Sequence, residues 1–280
     1  MSKYAHRNPP APARAPAFPF ILTVLMIIGC QNVVSIDLNQ TAPQVVVEGI
    51  VTNRPAPCAV RLTRTGNYFE PSLTFQTISH ALVVVGDGGL SDTLHEDTSG
   101  HYVSSTLAGV PGHTYTLRVV AEAKEYDAAS TMPPAVRIDS LYTTRLREFD
   151  GDRGYNIFVK FRDPGVVGNY YRIRVHSTAF PSDSITGQRY MLLSDKLING
   201  NEVTYQLRAA RNVQAGDTMM VELMTMDRAA YDYFNTLKNV LASNRSPTSL
   251  APMNPVTNLS NGALGYFSAF AIDSARIVLP

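Results

Sequence analysis

Most of the chain consists of short segments in which apolar, β-branched and aromatic residues alternate with polar ones. This period of two is typical of β-strands that bury one face, and the Gly, Pro, Asn and Asp residues between the segments favour turns. In the first half the predicted strands span residues 45–51, 59–64, 81–85, 101–104, 114–119 and 126–130. This succession of short strands predicts a β-sandwich of the immunoglobulin-like kind.

The second half is again rich in strand patterns and begins after Met132-Pro133-Pro134, since proline cannot donate to a strand ladder. The predicted strands are 136–142, 155–161, 170–175 and 218–223, with two short closing strands near Leu264–Phe270 and Ala275–Leu279. We therefore expect a β-sandwich domain at residues 43–133 and a second β-rich domain at residues 134–280. The alternative is that the two halves share a sheet. The strand order of the first half also resembles the prealbumin-like sandwich of many surface proteins.

One segment has the 3.6-residue period of an amphipathic helix. Asp227 is a suitable N-cap, and the pattern predicts an α-helix over about residues 228–243. The apolar side chains of its main face are those of Ala230, Phe234, Leu237 and Leu241, with Tyr231 and Val240 beside them. We expect this face to pack on a sheet, and a groove for a binding partner is the alternative.

The N-terminal segment has the layout of a bacterial lipoprotein signal peptide. An apolar stretch follows three basic residues, which are Lys3, Arg7 and Arg14. The stretch ends at Gly29-Cys30 and is shorter than the about 20 residues of a transmembrane helix. The small Gly29 gives a peptidase access to the bond before Cys30, whose thiol takes the lipid. We predict a signal peptide at residues 1–29, lipidation of Cys30 and a tether at residues 30–42; ordinary cleavage or a buried core segment are the alternatives.

Charge and cysteine content narrow the partners and the chemistry. The formal net charge is +1 and no basic run is present, which argues against a nucleic acid as partner. With Cys30 lipidated, Cys58 has no partner for a disulfide within the chain. We expect Cys58 to be a small buried residue and not a reactive thiol.

Candidate catalytic and metal-binding residues are few. His95-Glu96-Asp97 is the densest ionisable group, but we expect it to be solvated in a turn region. Asp150-Gly151-Asp152-Arg153-Gly154 begins like a calcium loop, yet a strand pattern follows it, so a hairpin turn is the expectation. Tyrosines could form a stacking platform for a ligand, although partial burial is more usual: Tyr68, Tyr102, Tyr170 and Tyr171. We therefore predict no catalytic residues, no cofactor and no metal site.

Several stretches together resemble the Bacteroidota lipoprotein family called domain of unknown function 4249. They are Cys30 and residues 45–50, 126–133, 169–172, 193–200 and 255–267. The last stretch is the most specific, and the series covers the mature chain in the expected order. The resemblance implies an outer-membrane lipoprotein encoded beside a TonB-dependent transporter, with an accessory or ligand-binding role in nutrient uptake. It supplies no catalytic residues.

The expected function is therefore that of a non-catalytic, lipid-anchored accessory protein of the outer membrane. Surface export in this group favours acidic residues just after the lipidated cysteine, whereas here residues 31–36 separate Cys30 from Asp37. The anchored protein could therefore lie on the cell surface or on the periplasmic face of the outer membrane. The alternatives are a structural or assembly lipoprotein without a ligand, and a hydrolase with a dispersed site.

Overall fold

The strands follow the alternating segments of the sequence. The computed structural model describes residues 42–55, 58–66, 75–145, 154–177, 190–211, 215–243 and 254–280. The predicted signal peptide, Cys30, Tyr68 and most of the predicted turn at residues 150–154 lie outside these ranges. Residues 42–280 form one compact unit.

Within the described ranges, fifteen strands and one α-helix are present. The strands are β1 (Val45–Thr52), β2 (Ala59–Arg64), β3 (Leu82–Asp87), β4 (Leu90–Thr93), β5 (His95–Thr98), β6 (His101–Val103), β7 (Thr114–Ala121), β8 (Lys124–Thr131), β9 (Ile138–Arg145), β10 (Gly154–Arg162), β11 (Tyr170–Ser177), β12 (Tyr190–Ser194), β13 (Glu202–Arg211), β14 (Thr218–Met226) and β15 (Leu264–Val278). The helix is α1 (Arg228–Ser243), and a short 3-10 turn spans Asp195–Leu197. The prediction of a mainly β, sandwich-like fold with one helix is confirmed.

Three sheets build the molecule. The largest has eight strands in the order β12-β11-β14-β15-β1-β2-β6-β5. A four-stranded sheet has the order β4-β3-β7-β8, and a three-stranded sheet has the order β13-β10-β9. The strands β1 and β15 are parallel, whereas β14 pairs with β11 and with β15 in antiparallel fashion. The eight-stranded sheet therefore runs through both halves of the chain, which was the alternative to two separate sheets.

Two hydrophobic cores lie on the same face of the eight-stranded sheet. In the first core, Val47 of β1 packs with buried residues of the four-stranded sheet such as Leu117. In the second, Val221 of β14 packs with Ile157 of the three-stranded sheet. The residues of β14 and β15 that alternate with these core residues, such as Phe270, pack instead with α1. Since successive side chains of a strand point to opposite faces, α1 covers the outer face of the sheet.

The C-terminal strand differs from the prediction. The two short closing strands expected near Leu264–Phe270 and Ala275–Leu279 are one continuous strand, β15. The polar pair Asp273-Ser274 resembles a break in the sequence, but the Asp273 carboxylate accepts a hydrogen bond from the Ile138 N–H at 2.7 Å. As a result β15 pairs first with β1 and then with β14. It contributes buried residues such as Phe267 to the first core and the partly buried Ile277 to the second.

The helix α1 coincides with the predicted range. Asp227 caps it, because its Oδ1 accepts a hydrogen bond from the Ala230 N–H at 2.9 Å. Ala230 and Phe234 are buried as expected, but Leu241 is 51% exposed. The apolar residues that pack under α1 extend to Leu237, and Leu241, one turn later, is exposed. Across the described ranges, no helix is long and apolar enough to cross a membrane.

Candidate functional site

Charged side chains lie on the outer face of the eight-stranded sheet, next to the apolar layer under α1. Arg174 of β11 is paired with Glu222 of β14, and Glu222 is paired with Ser274 of β15. The next row of side chains on this face holds His176, Met220 and Arg276. We use the name outer-face cluster for Arg54, Arg174, His176 and Glu222.

Glu222 is the centre of the outer-face cluster. His176 Nε2 lies 2.8 Å from Glu222 Oε2, which is hydrogen-bond distance. Nη1 of Arg174 lies 3.9 Å from Oε2, and Nη1 of Arg54 lies 3.8 Å from Oε1. The Glu222 side chain is only 11% exposed, whereas the three basic side chains are 26–31% exposed. One carboxylate thus faces three basic groups, and the basic groups form the solvent-facing side.

Arg54 reaches the cluster although it follows the end of β1. The side chain of Asn53 forms two hydrogen bonds with the backbone of Ile272 on β15. Asn53 Nδ2 donates to the Ile272 carbonyl at 3.3 Å, and Asn53 Oδ1 accepts from the Ile272 N–H at 2.8 Å. These bonds extend the β1–β15 pairing past the last residue of β1. Arg54 is therefore carried by a fixed turn and not by a loose loop.

A buried guanidinium adjoins the cluster under α1. The Arg172 guanidinium carbon lies 4.5 Å from the ring centre of Tyr190 and 4.2 Å from that of Phe234. Such stacking between aromatic faces stabilises a cation. Burial lowers the pKa of Arg172, but a guanidinium remains protonated at neutral pH. Burial also raises the pKa of Tyr266, beside Phe234, to about 12, so its hydroxyl is neutral. Arg172 thus adds a permanent positive charge behind the cluster.

The arrangement suits the binding of an anionic group. A hydrogen-bonded pair such as His176–Glu222 can orient a general base in enzymes. Guanidinium groups bind carboxylate and phosphate oxygens with charge-assisted hydrogen bonds. Because basic groups outnumber the one carboxylate in the cluster, retention of an anion is the chemistry that its composition favours.

His95-Glu96-Asp97, the densest ionisable group of the sequence, lies in a strand and not in a turn. It belongs to β5, and Glu96 accepts backbone hydrogen bonds from His80 at 2.9 Å and Gly100 at 2.8 Å. These N–H groups, His80 first, lower the pKa of Glu96 to about 2. Among the described residues, no three His, Cys, Asp or Glu side chains are arranged so that they could hold a metal ion. Glu96 therefore holds the backbone around it together.

The tyrosines considered as a stacking platform are mostly internal. Tyr102 and Tyr171 are buried, and their hydroxyls donate to the Ile78 carbonyl and to Asp163. Tyr170 packs against Tyr231 of α1, with ring centres 4.8 Å apart. These tyrosines fix strands and helix, as partly buried tyrosines usually do.

Cys58 is buried, as expected. It is 1% exposed and free, and burial raises the pKa of its thiol to about 12. A thiol that stays protonated at neutral pH and is closed to solvent is a poor nucleophile.

The residues of the outer-face cluster were missed in the sequence. Their signal is a polar residue at every second position of β11, Arg172, Arg174 and His176, between apolar ones. Glu222 is likewise the one charged residue in the apolar run of β14. Only the strand register shows that these residues face each other.

A family profile matches most of the chain. The sequence profile described as Domain of unknown function (DUF4249) matches residues 31–276. The chain belongs to this family. No curated protein matches the DUF4249 chain. It is similar to a solved chain titled "Cytokine receptor complex - Crystal form 1A", with 9% identity over 84% of this chain and 95% of that one. The TM-score is 0.25, so this likeness carries no argument.

The stretches that resemble the DUF4249 family hold the fold together. In residues 193–200, Asp195 Oδ2 accepts the Asn169 N–H of a second such stretch at 2.9 Å. In residues 255–267, Asn258 Nδ2 donates to the Ala129 carbonyl of β8 at 3.2 Å. In these two stretches, polar side chains thus bind backbone groups of distant segments.

Proposed function

We propose that this DUF4249 protein is a non-catalytic, lipid-anchored protein of the outer membrane that binds a ligand through the outer-face cluster. We further propose that it works as an accessory to a TonB-dependent transporter. The observation that carries the binding role is the unequal charge of the cluster, with three basic groups around Glu222 on a half-buried sheet face. Guanidinium groups that keep free N–H groups can bind carboxylate or phosphate oxygens with charge-assisted hydrogen bonds.

The anchor is supported by the signal-peptide layout that ends at Gly29-Cys30. A single acyl chain gives only marginal membrane binding, whereas several chains hold a protein firmly. A mature bacterial lipoprotein carries several chains on its N-terminal cysteine. The link to a transporter and to the outer membrane rests on the lipoprotein character that the DUF4249 resemblance implies.

The anchor is tested with Cys30→Ser. We expect the native protein to fractionate with the outer membrane of its host and the variant to appear in the soluble fraction with unchanged circular dichroism. A Cys30→Ser variant that still fractionates with membranes would refute the lipid anchor. Cys58→Ser is the matched control, because Cys58 is buried and has no part in the anchor.

The transporter association is tested by affinity purification of the lipidated protein from its own membranes, followed by mass spectrometry. We expect a TonB-dependent transporter in stoichiometric amount. Recovery of the protein alone, with acylation at Cys30 intact, would contradict the accessory role and favour a free-standing binding or structural lipoprotein. Protease treatment of whole cells then distinguishes the cell surface from the periplasmic face.

A further inference from the structure

The outer-face cluster contains more hydrogen-bond donors than the protein itself uses. Nη1 of Arg54 and Nη1 of Arg174 lie 3.8 and 3.9 Å from the Glu222 carboxylate, beyond the usual 2.7–3.2 Å of an N–H···O bond. Among the described residues, no other group accepts a hydrogen bond from either side chain. Each guanidinium has five N–H groups, so both arginines can bind further oxygen atoms.

The two arginines approach Glu222 from different sides. Arg54 is nearest to Oε1 and Arg174 is nearest to Oε2. His176 already forms the short contact with Oε2 at 2.8 Å. His176 is thus close enough to be the hydrogen-bond partner of Glu222. The two guanidinium groups lie on either side of the Glu222 carboxylate, and both are therefore available to bind another anion.

The surroundings of the cluster are positive and partly apolar. Arg276 and Ser274 are exposed on β15, in the rows that contain His176 and Glu222. Arg172 adds a charge from the neighbouring row of the same face, where it lies between Tyr190 and Phe234. A low-dielectric wall beside fixed charges strengthens their attraction for an anion.

We propose that the outer-face cluster is a binding site for an anionic ligand group, a carboxylate or a phosphate, held between the guanidinium groups of Arg54 and Arg174. This inference rests on the proposed binding function and names the chemical class of the ligand. Arg54 and Arg174 donate to the anion, Glu222 holds the two arginines in place, and Arg276 and Ser274 lie at the rim. A free phosphorylated or carboxylated nutrient and an anionic lipid headgroup share this chemistry.

The test measures anion binding by the purified full-length protein in neutral detergent. Inorganic phosphate and acetate are titrated at low ionic strength, and binding is followed by isothermal titration calorimetry and by the imidazole NMR signals of His176. We expect Arg54→Gln and Arg174→Gln each to weaken phosphate or acetate binding at least fivefold. Arg118→Gln is the matched control, since Arg118 is an exposed arginine paired with Glu125 on a different sheet.

Glu222→Gln separates a binding site from a structural ion pair. Glutamine keeps an oxygen that can hold the arginines and removes the competing charge, so anion binding should tighten severalfold; an unchanged or weaker affinity would contradict competition between Glu222 and the anion. Wild-type protein that binds neither anion, or that binds one equally well after both arginine substitutions, would overturn the proposal. Circular dichroism of each variant checks folding, and Arg54→Lys, which keeps the charge, should retain part of the binding.

A comparison of lipids with free anions identifies the source of the bound anion. Phosphatidylglycerol micelles are compared with phosphatidylcholine micelles, and preference for the former that depends on Arg174 indicates a headgroup. Preference for free phosphate or acetate indicates a soluble ligand.

Anion binding and transporter association can fail independently. Anion binding that depends on Arg54 and Arg174, with no co-purifying transporter, would sustain this inference and reject the accessory role. Transporter capture without anion binding would do the reverse.

Discussion

Glu96 and Glu222 both lie in strands, and their neighbours give them different roles. Glu96 accepts backbone N–H groups of His80 and Gly100, residues whose φ angles are 59° and 71°. Left-handed backbone is unfavourable for a non-glycine residue such as His80 and persists where contacts hold it. Glu222 instead receives basic side chains from two neighbouring segments. At the scale of the residue, backbone donors surround Glu96, whereas basic side chains surround Glu222.

The pH dependence of stability should show the role of Glu96. Its pKa is about 2 in the folded protein against an ordinary value of 4.5, because N–H groups bind the ionised form. A lowered folded pKa stabilises the fold above pH about 4.5, and this contribution is lost as the pH falls towards 2. We expect Glu96→Gln to be less stable than the wild type at pH 7 and equally stable near pH 2. Urea unfolding across this range provides the measurement, and parallel pH profiles would contradict the assignment.

At the scale of the element, α1 is held to the sheet by aromatic side chains. Phe234 packs on Tyr190, Tyr266 and Phe270, with ring centres 4.8–6.2 Å apart. The Asp227 carboxylate also accepts a hydrogen bond from the Ser130 hydroxyl of β8 at 2.6 Å, which ties the start of the helix to the first half. Packing and capping together fix where α1 lies on the sheet.

Two substitutions on α1 should differ sharply. Phe234 is 3% exposed, so Phe234→Ala should lower the free energy of unfolding by about 3 to 5 kcal/mol. Leu241 belongs to the same predicted face but is 51% exposed, so Leu241→Ala should change it by less than about 0.5 kcal/mol. Urea unfolding followed by circular dichroism measures both. Comparable losses would mean that the Leu241 side chain is packed in solution, although it is exposed in the structure.

Strand alternation in the sequence predicts most strands but not their partners. β2 and β10 follow the expected pattern closely, since their apolar residues face a core. The strands β4, β5, β12 and β13 were not predicted, β5 because its charged residues suggest a turn. The strand β15 was divided because Asp273-Ser274 looks like a break. These segments are strands because distant backbone and side-chain partners hold them, as the Ile138 N–H holds Asp273.

The outer-face cluster could not be predicted for a related reason. Arg174 and Glu222 are separated by many residues and meet only through the register of β11 and β14. Arg54 joins them because the Asn53 side chain continues the pairing of β1 with β15. A single sequence reveals polar residues on an apolar strand, but strand order and register decide which of them face each other.

At the scale of the whole molecule, β15 connects the two cores. Its first part pairs with β1 and buries Phe267 in the first core, whereas its second part pairs with β14 beside the second core. The sequence predicts a domain boundary between residues 133 and 134, yet the end of the chain is required on both sides of it. A strand that belongs to two cores couples their unfolding, because neither can lose it without exposing the other.

This coupling predicts a single unfolding transition for both halves. Leu117→Ala in the first core and Ile157→Ala in the second each remove a side chain that is 1% exposed, so each should cost about 2 to 5 kcal/mol. We expect either substitution to shift one calorimetric peak without splitting it. The chain has no tryptophan, so hydrogen exchange with mass spectrometry serves to follow each core separately. Each substitution should accelerate exchange in β7 and in β10 alike, since global unfolding opens both strands. Two peaks, with Leu117→Ala moving one and Ile157→Ala the other, would show that the halves unfold as independent domains despite the shared strand.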